Sequence, residues 1–98
     1  VEAEGIVMIP LDQVDDYIRR YQPVILRKWI KTDTKGYSAI NIGVAKGKTF
    51  ERVLLFPTQT MLRFIKNPQD NDNFKEKELL YVAITRAKYS VAVVDASV

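Results

Sequence analysis

Val53-Leu54-Leu55-Phe56 places apolar residues at consecutive positions and closes on Pro57. Successive side chains of a strand point to opposite faces, so an unbroken apolar run needs both faces covered, as in a parallel sheet with helices above and below. Ser90 to Val94 repeats the pattern, and Gly5-Ile6-Val7-Met8-Ile9, closed by Pro10, is a third such run. Between them the period changes. Leu11, Val14, Ile18 and Tyr21 recur at helical spacing with Tyr17 beside them, and Gln22-Pro23 ends the segment. Asp15→Arg19 and Asp16→Arg20 form pairs four residues apart, acidic early and basic late, as the helix dipole favours. Thr58 can cap a helix over Gln59 to Lys66, and Asn73 with Glu76 has capping-box spacing for a helix over Phe74 to Lys88. Val24 to Ile30 and Ser38 to Val44 add two strands, separated by the polar turn Thr32-Asp33-Thr34-Lys35-Gly36. The pattern predicts an α/β fold: about five strands, mostly parallel, with three helices and right-handed crossovers, in a single domain over residues 1–98.

A chain of 98 residues holds one core. It has no Cys and no His, which removes disulfides, thiolate nucleophiles, the usual metal ligands and the usual neutral-pH base. No metal site is expected. The longest apolar run, Leu79 to Ile84, has six residues, against the roughly 20 of a membrane-spanning helix. The start, Val1-Glu2-Ala3-Glu4, is acidic and unlike a secretory signal, so a cytoplasmic location is expected, with no membrane partner. No Met precedes Met8, as expected of a chain cut from a longer polypeptide.

The net charge of +3 is unevenly spread. Residues 1–26 carry five acidic and two basic side chains, whereas residues 27–52 carry seven basic (Arg27, Lys28, Lys31, Lys35, Lys46, Lys48, Arg52) against Asp33 and Glu51. Such a segment can track phosphates through counterion release, or can be a solvated surface.

Gly43-Val44-Ala45-Lys46-Gly47-Lys48-Thr49 is close to a phosphate-binding loop but has three residues, not four, between its first Gly and Gly47-Lys48-Thr49. It also precedes a strand rather than a helix, and no Asp-Glu pair follows an apolar strand to hold Mg²⁺. A complete nucleotide-hydrolysis site is therefore not expected here. The junction can still touch phosphates through backbone N–H groups and Lys46, or serve only as a solvated turn.

On the predicted Phe74–Lys88 helix, Leu80, Ala83, Ile84 and Ala87 form the core stripe. At about 100° per residue, Arg86 falls roughly 110° from the stripe centre, close to Leu79 and one turn after Val82. Leu79, Val82 and Arg86 then make an outer face that a second surface could cover. A guanidinium there suits an arginine finger, able to donate two bonds to a phosphoryl group. It equally suits a helix-end Arg complementing the dipole.

Asn41-Ile42-Gly43-Val44-Ala45-Lys46-Gly47-Lys48-Thr49-Phe50-Glu51-Arg52-Val53-Leu54-Leu55, followed by Leu79-Leu80-Tyr81-Val82-Ala83-Ile84-Thr85-Arg86-Ala87-Lys88, resembles motifs V and VI of UvrD/Rep-type superfamily 1 DNA helicases in order and spacing. The resemblance spans Ser38 to Val94 and implies the C-terminal part of a second RecA-like, P-loop NTPase-type domain. In that family two such domains enclose ATP, and the first supplies the P-loop and the carboxylates for Mg²⁺. The resemblance implies Arg86 as the catalytic finger on the γ-phosphate; Gly47, Thr49 and Arg86 as ATP contacts; and Asn41, Gly43 and Lys46 as DNA contacts. Gly43 stands where the commoner motif has His, and Thr49 where it has Glu; some relatives read Lys-Gly-x-Thr-Phe-Asp/Glu-Arg at this line. Thr49 can bond a ribose hydroxyl. Arg19, Arg20 and Arg27 remain unassigned to motif IV.

The expected function is thus a motor-domain portion of an ATP-dependent DNA helicase or translocase. Its cofactor would be ATP with Mg²⁺, held mainly by the first RecA-like domain of the same polypeptide, and its substrate single-stranded or duplex DNA. Alone, the chain is not expected to hydrolyse ATP. The alternative is a small module without catalysis: either a single-strand binder using the Arg27–Arg52 segment with Tyr37 or Trp29 as stacking surfaces, or a regulatory interaction domain.

Overall fold

The computed structural model describes residues 6–69 and 74–96. Gly5 of the first expected strand, the expected cap Asn73, and residues 70–72 lie outside the described residues. In chain order the elements are β1 (Ile6–Pro10), α1 (Val14–Tyr21), β2 (Val24–Arg27), β3 (Ile40–Asn41), β4 (Phe50–Phe56), α2 (Gln59–Lys66), α3 (Phe74–Thr85) and β5 (Ala87–Asp95). Short 3-10 turns at Leu11–Gln13 and Ile42–Ala45 precede α1 and follow β3. The five strands form one sheet in the order β1-β5-β4-β2-β3, with every pairing parallel. The chain is an α/β domain with a five-stranded parallel sheet and three helices.

The unbroken apolar runs sit where a doubly covered sheet needs them. In β4 and β5, Val53, Leu55, Val91 and Val93 face α2, α3 and the Ile42–Ala45 turn, packing with Met61, Phe64, Leu80 and Ala83. Their neighbours Leu54, Phe56, Ala92 and Val94 face α1, packing with Val14, Tyr17 and Ile18. Both strands are central, so both faces are buried. Thr58 caps α2 as its sequence position suggests, its Oγ1 accepting from the Met61 N–H at 3.1 Å. Among the described residues no helix is long and apolar enough to cross a membrane.

Several boundaries differ from the sequence-based expectation. The strand expected over Val24–Ile30 stops at Arg27, because Arg27 pairs with Phe56, the last residue of β4, and Pro57 after it has no N–H to continue the ladder. The strand expected over Ser38–Val44 shrinks to Ile40–Asn41, since its only partner has ended. The chain then coils into a 3-10 turn that buries Ile42 and Ala45, three residues apart and so on one side. The helix expected to reach Lys88 ends at Thr85, because Ala87 is recruited by β4 opposite Phe50. Asp15 does not pair with Arg19. It accepts from the Tyr37 hydroxyl at 2.5 Å and from Lys35 at 3.2 Å, while Arg19 turns to Asp16.

Candidate nucleotide and DNA site

A parallel sheet has two distinct edges, and the residues implied by the sequence divide between them. Thr49 immediately precedes β4 and Arg86 immediately precedes β5, and the pairing of Phe50 with Ala87 sets them side by side at the amino edge. Arg86 is not on the helix but in the one-residue joint between α3 and β5. Its backbone is held on both sides: its N–H donates to the Ala83 carbonyl at 3.2 Å, and its carbonyl accepts from the Phe50 N–H at 2.7 Å.

The Arg86 side chain is half-buried. Its Nη2 donates to Thr85 Oγ1 at 3.3 Å, while Nε is buried and meets no acceptor among the described residues. A buried unsatisfied donor costs about 1–3 kcal/mol. Thr85 in turn bonds back to the Tyr81 and Val82 carbonyls, closing the helix end.

The outer apolar face expected beside Arg86 is not formed. Leu79 and Val82 are half-buried and pack on the domain's own core, because α3 lies against the sheet with α2 and the Ile42–Ala45 turn also in contact with it. The exposed side of α3 is Lys75, Glu78, Tyr81 and Thr85. A register shift between Phe50 and Arg52 leaves β5 with one extra residue opposite Glu51, and Lys88 and Tyr89 are both exposed there. Bulges of this kind re-aim side chains at sheet margins. Lys48, Arg86 and Lys88 therefore gather cationic groups along one rim, a grouping that linear spacing did not reveal.

Asn41 lies at the opposite, carboxyl edge. Arg27 pairs with both Phe56 and Asn41 in register, so Asn41 is level with the end of β4, six residues beyond Phe50. At about 3.3 Å per residue the two edges are roughly 20 Å apart. Asn41 Oδ1 accepts from Arg27 Nε at 2.9 Å, which orients the amide and leaves its NH₂ as donor. Arg27, left unassigned by sequence, thus positions Asn41. Gly43 and Lys46 are exposed on and just after the 3-10 turn. Gly47 follows with φ +81°, and the Lys48 N–H closes the turn on the Ala45 carbonyl at 3.0 Å. The structure thus brings together Thr49 with Arg86 and, separately, Asn41 with Gly43; residues 42–49 connect the two groups.

The carboxyl edge also carries a cavity of about 170 Å³ lined by Leu11, Phe56, Pro57, Leu62 and Val94 with Asp33, Lys35 and Gln59. Open α/β sheets often bind phosphates at such a place. Here the walls are largely apolar, and the Lys35 ammonium is held by Asp15 and the Leu11 carbonyl. Nearby, buried Glu76 joins three elements: Lys28 pairs with it at 2.8 Å and the Thr58 hydroxyl donates to its other oxygen. Burial alone would raise its pKa, but the Lys28 and Thr58 hydrogen bonds and the Lys28 charge outweigh that and hold it below the ordinary value. Among the described residues no three His, Cys, Asp or Glu side chains are grouped to hold a metal ion. The chain matches no protein-family model and no curated protein.

Proposed function

We propose that this domain is the C-terminal motor part of an ATP-dependent DNA helicase or translocase, the second RecA-like lobe of a pair. The observation that carries the reading is the amino rim: Arg86, with its backbone pinned and its side chain partly exposed, stands beside Thr49 among Lys48 and Lys88. A planar, permanently charged fork held this way is suited to an anion presented by another surface. The cofactor is ATP with Mg²⁺, the phosphate chain and metal held by a first RecA-like domain of the same polypeptide. Thr49 offers a hydroxyl to the ribose, Gly47 permits the turn that delivers it, and Arg86 neutralises charge developing on the transferred phosphoryl group.

Asn41, Gly43 and Lys46 form the DNA side of the same device. The Ile42–Ala45 turn is anchored by two buried side chains against α3, and α3 ends one residue before Arg86. A strand pulling on Asn41 therefore acts on a packed segment that leads to the nucleotide rim. DNA, single-stranded or duplex, is the proposed substrate.

The test is ATP turnover by a polypeptide joining this domain to its P-loop partner. Arg86→Ala should lower DNA-stimulated kcat by about 10³ to 10⁵ with little change in DNA affinity, and Arg86→Lys should recover little of it. ATPase activity within a few-fold of the parent in Arg86→Ala removes the finger.

A further inference from the structure

The turn after β2 carries a feature that neither nucleotide chemistry nor the core explains. Trp29 is 50% exposed and Ile30 75% exposed, on a reverse turn closed by the Thr32 N–H on the Trp29 carbonyl at 3.0 Å. Half of the indole and most of the isoleucine thus face solvent at adjacent positions. Two ammonium groups flank the ring, Lys28 Nζ at 5.7 Å and Lys31 Nζ at 5.2 Å from its centroid. The turn leaves the sheet directly after Arg27, whose guanidinium orients Asn41, so Trp29 shares the carboxyl edge with that amide and with exposed Gly43 and Val44.

Tyr37, the other stacking surface expected from the sequence, is not available. It is half-buried in the α1-side core and its hydroxyl is engaged by Asp15.

We propose that Trp29 is a stacking platform for an unpaired base of a single-stranded nucleic acid, with Lys31 placed for a flanking phosphate, while Lys28 stays with Glu76. An exposed aromatic face with the Lys31 ammonium beside it matches the two surfaces of such a ligand, apolar base and anionic backbone. A duplex hides its base faces and does not fit. A lipid surface would be served by a broader apolar area than two residues on one turn. The proposal extends the DNA side of the reading above and is independent of Arg86 acting on ATP.

Trp29 is the only tryptophan of the chain, so its fluorescence reports this position alone. Titration of the 98-residue protein with oligo(dT) at low salt should quench the emission, oligo(U) should do the same if base and phosphate suffice, and a blunt duplex should not. Trp29→Ala should weaken oligo(dT) binding about tenfold with unchanged circular dichroism, Trp29→Phe should restore most of it, and Lys31→Ala should make the salt dependence shallower by about one unit. Binding without quenching, equal in Trp29→Ala, overturns the platform while leaving the Asn41 edge as the DNA contact. A response to phosphatidylserine vesicles but not to oligonucleotides, or to neither, overturns it as well. Arg86→Ala in the two-domain polypeptide tests the motor reading separately.

Discussion

Gly43 and Gly47 lie four residues apart in the segment that joins the two edges, and they do different things. Gly47 holds φ +81°, where a Cβ would be strained even though the space around it is open. Gly47→Ala should therefore cost about 1–2 kcal/mol of stability in thermal unfolding, entirely from the backbone. Gly43 has an ordinary conformation and open space, so Gly43→Ala should change stability by less than about 0.5 kcal/mol. Any loss of DNA-stimulated ATPase in Gly43→Ala then reports a contact rather than a fold defect. Glu76 is a third kind of residue, a buried anion with two fixed donors. Glu76→Gln should cost about 1–3 kcal/mol, read by denaturant midpoint at constant slope.

At the scale of elements, the Ile42–Ala45 turn and the end of α3 were the least legible parts. Their residues read as strand and helix respectively, because local pattern does not show where a partner strand stops. The loss of a ladder partner after Arg27 and the recruitment of Ala87 by Phe50 are both events of pairing. The anchoring of the turn makes a prediction at the same scale. Ile42 is fully buried, and Ile42→Ala should cost about 2–5 kcal/mol and also uncouple ATPase from DNA, seen as a lower DNA-stimulated rate at unchanged DNA affinity. By contrast, α2 was readable outright, since Thr58 and the apolar stripe behind it are adjacent in the chain.

For the whole molecule, strand length and register place the residues proposed for nucleotide and those proposed for DNA at opposite ends of the strands, about 20 Å apart, with the sheet as a rigid spacer. Contacts between helices and loops set the acid sensitivity. Asp15, held by Tyr37 and Lys35, and Glu76 both titrate below their ordinary values in the folded chain. A depressed carboxyl contributes stability that is complete above the unfolded pKa and disappears as pH falls through the folded one. Stability should therefore be flat with respect to these groups near neutrality and decline below about pH 4.5, and Glu76→Gln should flatten that decline in an acid titration followed by circular dichroism.

Sequence alone determined that this chain makes a doubly covered parallel sheet, because unbroken runs such as Val53–Phe56 have no other way to leave water. It also determined which residues resemble a helicase motif. Where those residues stand was decided only by tertiary structure. Arg86 became a pinned joint beside Thr49, Trp29 an outward tip beside Asn41, and Leu79 and Val82 part of the core. Strand register and the packing of α3 depend on partners distant in the chain, and periodicity within a segment carries no information about them.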